Sequence, residues 1–247
     1  LKQLALAGHA FHDSYRVLPP SRIAKQHPSW LYLILPYLEL SSLEGEGATR
    51  QSMYEMPLEK RTHVVPQFLC PTRDRDSTIL TLKADRVSFF PHQRQYAGSV
   101  SDYSGCKGAR VPGQTYTGRG VLLQNGAIVH AAYDQLPDNA QRVTGWHGRI
   151  SLAEVEDGTS HTLLIGELSA RRAGRSHAFN GDKTGGTWLG RLNPLASDDD
   201  EGGFGSDHVD LVQFVFCDGS VRPLSIDADD RLLDALATRA GSELAGE

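Results

Sequence analysis

Apolar positions along this chain gather into short periodic runs, set apart by stretches rich in glycine, proline and acidic residues. The first run is helical in period. Leu1, Leu4, Ala5, Gly8, Phe11 and His12 recur at the steps that place side chains on one stripe of an amphipathic helix, which ends before Asp13-Ser14 and cannot pass Pro19-Pro20. Trp30 to Ser42 reads as a second apolar helix, with Ser29 as its N-cap and Pro36 as the point where it kinks or splits. Val64 to Leu69 reads as a short strand closed by Cys70-Pro71 and expected at the sheet centre or beside the hairpin described next. Asp74 to Phe90 alternates weakly. Tyr96 to Val100, Val121 to Leu123 and Thr162 to Leu168 are further strands, whereas the glycine-rich Gly105 to Gly120 is expected to be a loop and Ala131 to Gly148 irregular. Ser151 to Glu156 fits one helical turn capped by Ser151 and stopped by Asp157-Gly158.

The clearest pattern lies near the end. From Val209 to Cys217 the residues are apolar or β-branched apart from Asp210 and Gln213, Asp218-Gly219 offers the positive φ of a tight two-residue turn, and Ser220 to Leu224 returns. A last helix is expected from an N-cap at Asp227 through Arg239, with Leu232, Leu233, Leu236 and Ala240 on one face and Gly241 just past its end. Helices flanking one mostly antiparallel sheet make an α+β protein, read here as one domain over residues 1–247 with a long insertion at 170–204.

Composition narrows the class. A chain of 247 residues can bury a full core, and 25 glycines with 12 prolines fit a loop-rich globular protein better than a helical bundle. A net charge of −5 offers no basic footprint for nucleic acid, and Arg171, Arg172 and Arg175 read as a solvated loop. The apolar run Trp30 to Leu38 is about half as long as a membrane-spanning helix requires. Opening on Leu1, with no signal-peptide pattern, the sequence reads as a fragment or processed form of something longer. Cys70, Cys106 and Cys217 draw no metal ribbon or redox pair, and both a Cys70–Cys106 disulfide and three free buried thiols are open readings.

Candidate chemistry is sparse. His208 and Asp218 invite pairing as a base and its orienter, but ten residues of strand at about 3.3 Å each hold them roughly 33 Å apart, so they mark the two ends of one strand. His9 and His12 could face one ligand but lack a third partner, which favours ordinary surface roles. Gly118 and Gly120 match no phosphate-binding fingerprint. A buried Glu167 needs a partner and points to a structural hydrogen bond more than to an acid catalyst. The acidic run Asp198, Asp199, Asp200 and Glu201 is either a solvated loop or a set of hard oxygen ligands for Ca²⁺, although it lacks the spaced Asp-x-Asp-x-Asp-Gly pattern.

Several segments together resemble the DUF1559 proteins, pilin-like proteins abundant in planctomycetes and normally made with a prepilin-type leader. The resemblance is carried by LKQLALAGHAFHDSYRVLPP (Leu1 to Pro20), LPYLEL (Leu35 to Leu40), FLCPT (Phe68 to Thr72) and DGTSHT (Asp157 to Thr162). It continues through the Gly166-Glu167 pair, His208 followed after nine residues by Asp218-Gly219, and ALATRAG (Ala235 to Gly241). Thr72-Arg73 departs from the usual Ser-Asp, His161 from the usual Asn, and Val209-Asp210-Leu211 from a Pro/Gly-rich step. The resemblance implies a pilin-like fold with structural motif residues Asp157, Gly158, Glu167, His208, Asp218 and Gly219, and a first helix that continues a hydrophobic spine. It also implies an extracytoplasmic, non-enzymatic protein, the head of a pseudopilin-like subunit that meets other subunits or the envelope through that spine, with the chain itself a monomer. Secretion-type pilin relatives often hold Ca²⁺ in a C-terminal loop, which adds to the Ca²⁺ reading of Asp198 to Glu201. The rival functions are a glycan- or small-ligand-binding module using Tyr103, Tyr116, Trp146 and Trp188, and a metal-dependent hydrolase, for which no His-Glu-x-x-His or Gly-x-Ser-x-Gly motif is present.

Overall fold

The computed structural model describes residues 1–45, 47–83, 95–109, 124–136, 139–169, 173, 177–182, 187–189, 192 and 203–241. Helix α1 (Lys2–Tyr15) buries Leu4, Ala5, Ala7, Gly8 and Phe11, the expected stripe, and runs slightly further than the sequence pattern implied. Arg16 ends it in the left-handed region, its N–H donating back to the His12 carbonyl at 2.7 Å. Ser29 caps α2 (Trp30–Leu33) by accepting from the Tyr32 N–H, and Pro36 falls in a separate 3₁₀ turn (Leu35–Leu38), so the second apolar run is split as its proline requires.

Among the described residues nine strands form three sheets. A five-stranded sheet has the order β7-β3-β6-β8-β9, built from β3 (Tyr103–Ala109), β6 (Leu163–Glu167), β7 (Thr187–Leu189), β8 (Leu211–Phe216) and β9 (Val221–Ser225). All its pairs are antiparallel except β3 with β7. Two-stranded ribbons pair β1 (Ile79–Lys83) with β2 (Gln95–Ser99) and β4 (Ala132–Leu136) with β5 (Asn139–His147). The protein is thus α+β, with helices against a mostly antiparallel sheet.

Alternation along β8 divides the core. Val212, Phe214 and Phe216 face a cluster with Leu233 and Leu236 of α3 (Asp230–Ala237), while Val215 and Cys217 join the cluster that contains Leu4, Ala5 and Phe11 of α1. Each such side chain contributes about 1.5–3 kcal/mol on burial, so the sheet is held from both faces.

Four expectations are corrected. Val64 to Leu69 is no strand: Pro66 opens a 3₁₀ turn (Pro66–Phe68) that drives Phe68 into the core. Within Gly105 to Gly120, β3 is a central strand, because Gly105 lacks the side chain that would meet Ile128, whose Cγ2 lies 2.4 Å from where a Cβ would stand. Within Ala131 to Gly148, β4 and β5 pair as a ribbon, and exposed polar residues such as Asp134, Arg142 and Thr144 conceal the alternation. The last helix is capped by Asp229 rather than Asp227, through bonds from the Arg231 and Leu232 N–H groups at 2.9 and 3.4 Å, and it ends at Ala237.

The hairpin β8–β9 forms as expected, but its loop has three residues. Phe216 N–H donates to Ser220 at 2.9 Å, Gly219 N–H donates to Phe216 at 2.9 Å, and Gly219 has φ +79° while Asp218 does not cross to positive φ. A turn followed by a left-handed glycine is the three-residue alternative to the paired positive-φ turn. β9 forms one edge of the sheet and carries Pro223 at its centre.

Candidate functional site

All five residues of β6 are buried, and its last, Glu167, carries a carboxylate into the protein with 2 % of its surface exposed. One oxygen, Oε2, accepts the Gln213 N–H of β8 at 2.8 Å; the other, Oε1, lies 3.3 Å from His208 Nε2. His208 is positioned by the segment leading to β8. Gly205 N–H donates to the Glu167 carbonyl at 3.0 Å, His208 N–H donates to Ser206 Oγ at 3.1 Å, and Asp210 turns the chain at φ 57°. Cys70 arrives from the 3₁₀ turn at Pro66, its Sγ 3.7 Å from the same His208 Nε2 and 3.2 Å from Thr72 Oγ1. The donor atoms of Cys70, Glu167 and His208 all lie within 4.8 Å of one another.

Beside this trio sits an ion network centred on Asp102, which is fully buried. Its carboxylate accepts the Cys70 N–H at 2.6 Å, Arg73 Nη1 at 3.0 Å and Arg75 Nη2. Arg73 spans the site: Nε donates to Asp207 at 2.9 Å and Nη2 to the Leu168 carbonyl at 2.6 Å. Four segments distant in sequence, at residues 68–75, 102, 167–168 and 203–208, are therefore strapped at one point. Three carboxylates, of Asp102, Asp207 and Glu167, stand against two guanidinium groups, an excess of one negative charge.

The geometry is convergent rather than sequential. A nucleophile–base–orienter relay uses both ring nitrogens of its histidine, one for each neighbour, whereas here thiol and carboxylate meet the same Nε2. What the trio offers is a soft donor, a nitrogen donor and an oxygen donor aimed at a common volume.

The other residues singled out in the sequence are elsewhere. Asp157 accepts the Gly241 N–H at 2.7 Å and donates its own N–H to the Arg239 carbonyl at 3.1 Å, fastening the chain after α3; Gly158 follows with φ +96°. Asp218 accepts the Ser220 N–H at 2.8 Å and gives its N–H to the Thr159 carbonyl at 2.9 Å, so the Asp157 motif and the hairpin turn abut, and His208 and Asp218 stay at opposite ends of β8. His9 and His12 do not converge: His12 Nε2 accepts the Leu152 N–H at 3.2 Å, and His9 lies against Gly219. Asp198, Asp199, Asp200 and Glu201, the proposed Ca²⁺ ligands, lie outside the described residues, as do Gly118, Gly120 and Tyr116. All three cysteines are buried and free.

Of the aromatic set, Tyr103 is a core residue at 4 % exposure and the Trp188 side chain is outside the described residues. Trp146, half-buried, lines a cleft of about 470 Å³ with Tyr15, Tyr37, Pro36 and Glu44. Tyr15 is 57 % exposed, with its ring centroid 6.4 Å from Trp146 and 4.5 Å from Phe11. Desolvation raises the pKa of Glu44. Sequence reasoning missed Asp102, Arg73, Arg75 and Asp207 altogether. The signal for the trio was present, since Cys70, Glu167 and His208 each belong to a different one of the motif strings quoted above.

These features define an α+β protein whose motif segments meet in a buried polar clasp. Residues 1–193 match the family described as Protein of unknown function (DUF1559), and the chain belongs to that family. The family's label suggests a surface or extracellular protein. The matched stretch ends before His208, so the last two strands of the main sheet and the third member of the trio lie beyond it. No curated protein and no solved structure matches the chain.

Proposed function

We propose that the chain is the folded head of a non-enzymatic surface protein, a pilin-like subunit joined to the envelope or to its neighbours through sequence preceding α1. The observation that carries this reading is the seating of α1. Leu4 and Ala5 are fully buried and Phe11 is 1 % exposed, in the same cluster as Leu164, Ile165 and Val215 of the sheet. The apolar stripe is spent on the head's own core, as expected where a helix packs along a sheet while its upstream part serves attachment or assembly. Among the described residues no helix is long and apolar enough to cross a membrane. The convergence of Cys70 and Glu167 on one nitrogen of His208, in place of a relay, supports a non-enzymatic role. Fractionation of cells expressing the chain with and without its natural upstream sequence tests the proposal. The longer form is expected with membranes or sheared surface material and the shorter form in solution as a monomer; the longer form found wholly in the soluble cytoplasm overturns it.

A second reading is favoured by the cleft. Tyr15, Tyr37 and Trp146 present ring faces and edges around a concavity, with Glu44 as a polar group at its wall, a composition suited to stacking on a sugar or a small planar ligand. Titration with oligosaccharides, followed by tryptophan fluorescence in the parent and in Tyr15→Ala, tests it; an unchanged spectrum across the series removes this reading.

A further inference from the structure

A hydrogen-bond account of the trio pairs His208 with Glu167 and leaves Cys70 Sγ to Thr72 Oγ1 at 3.2 Å, so it gives no reason for the thiol to stand at the same ring nitrogen. If His208 Nε2 carries a proton, it can donate to Glu167 Oε1 at 3.3 Å, and Cys70 Sγ at 3.7 Å is left as a poor acceptor beside it. If Nε2 is unprotonated, it can accept from the Cys70 thiol, and its lone pair then faces a carboxylate oxygen. One nitrogen cannot serve both neighbours, but a cation placed among the three can.

We propose that Cys70, Glu167 and His208 form a binding site for a zinc-type divalent cation, which pins together the three segments that carry them. Ideal tetrahedral zinc, with Zn–S about 2.3 Å and Zn–N and Zn–O about 2.0–2.2 Å, sets sulfur and nitrogen about 3.5 Å apart and nitrogen and oxygen about 3.4 Å apart. The corresponding separations here are 3.7 and 3.3 Å. The mixture of thiolate, imidazole and carboxylate selects a borderline-soft metal, whereas Ca²⁺ and Mg²⁺ prefer all-oxygen sites. Charge agrees: a dication met by one thiolate and one carboxylate is neutral, which removes the uncompensated charge of a carboxylate that is 2 % exposed. The surroundings hold the donors in place, as outer partners of metal ligands do. Gln213 N–H fixes Glu167 Oε2 at 2.8 Å and leaves Oε1 for the metal, Asp102 holds the Cys70 backbone at 2.6 Å, and Thr72 Oγ1 stands 3.2 Å from Sγ. The His208 side chain is 32 % exposed, so a path to solvent exists and water supplies the fourth ligand.

The test uses the whole chain, purified under reducing conditions, stripped with a chelator and returned to chelator-free buffer. Calorimetric titration with zinc is expected to show one equivalent bound. Substitution by Co²⁺ is expected to give a thiolate-to-cobalt charge-transfer band, and bound zinc to protect Cys70 from alkylation as mapped by mass spectrometry. Cys70→Ser and His208→Gln should each abolish the band and weaken zinc binding by more than the roughly 10–100-fold that loss of an outer partner costs. Cobalt spectroscopy and thiol mapping on unmodified protein decide the matter even if a variant does not fold. Absence of the band in the parent protein, or stoichiometric zinc binding that survives both substitutions, overturns the proposal.

Discussion

Removing the Asp102 carboxylate should loosen the segment that carries Cys70 and destabilise the whole fold. Asp102→Ala leaves Arg73, whose side chain is 5 % exposed, and Arg75, at 18 %, without their shared counter-charge, and it strips the Cys70 N–H of its acceptor. Breaking a buried ion pair from one side costs about 3–5 kcal/mol; Arg73 keeps Asp207 as a partner, so the penalty falls chiefly on Arg75 and on the Cys70 N–H. In a chain of 247 residues, where each kcal/mol shifts the midpoint by about 2–4 °C, the expected drop in Tm is on the order of 10 °C. Asp102→Asn should recover little, since its amide hydrogens would point toward guanidinium or backbone N–H donors. The cause is isolated by the triple variant Asp102→Leu, Arg73→Met, Arg75→Met, in which no buried guanidinium remains to be stranded and only the part-exposed Asp207 loses its partner; it should be more stable than Asp102→Ala alone. Thermal unfolding by circular dichroism, together with amide exchange at 68–75, measures both effects. A loss below about 1 kcal/mol in Asp102→Ala, or a triple variant no better than the single, would refute the reasoning.

Gly219→Val should lower stability by about 1–2 kcal/mol, because a β-branched residue resists φ +79° and any Cβ there stands 3.2 Å from His9 Nε2; Gly219→Asn should cost less, and urea unfolding of the two variants checks the order. Stability should also fall with acid before the carboxylates titrate. Burial lowers His177 to a pKa of about 4 and His130 to about 2, from an ordinary value of 6.5, so the unfolded chain binds protons that the folded chain refuses. Their contribution is whole above about pH 6.5 and declines as pH falls toward those values, by about 1.4 kcal/mol per pH unit for each group. Urea midpoints between pH 7 and 5 should show the slope, and His130→Gln should reduce it; a flat profile contradicts the burial argument.

Local chemistry was legible in the sequence. The α1 stripe, the Ser29 cap, the break at Pro36, the single turn that follows Ser151, and the β8–β9 hairpin depend on neighbours within a few residues, and sequence spacing reports these directly. Strand β3 was hidden because Gly105 reads as a loop residue until Ile128, from a later segment, is seen to occupy the space above it. Val64 to Leu69 misled in the opposite sense, since its apolar residues fill the core from a turn that Pro66 imposes. The site divides in the same way. Glu167 and His208 drew notice through their motifs, but Arg73 finds Asp102 29 positions away and Asp207 134 positions away, and no local pattern encodes either meeting. Arg73 is also a departure from the family's usual residue, yet it occupies the centre of the network.

Pro223 gives the edge strand a consequence for assembly. Gln213, its register partner, aims its N–H at Glu167 on the β6 side, so the two backbones do not exchange hydrogen bonds and the Pro223 nitrogen lies on the outer margin of the sheet. An added strand would find a missing donor there, at the middle of β9. Its neighbour Arg222 is drawn over the Phe216 ring, with the guanidinium carbon 3.4 Å from the ring centroid. Growth by strand addition along this margin is therefore blocked by covalent structure rather than by charge or solvent conditions. Copies of this head that come together must do so elsewhere than along β9, and the same block guards this edge against amyloid-like stacking when the protein is crowded.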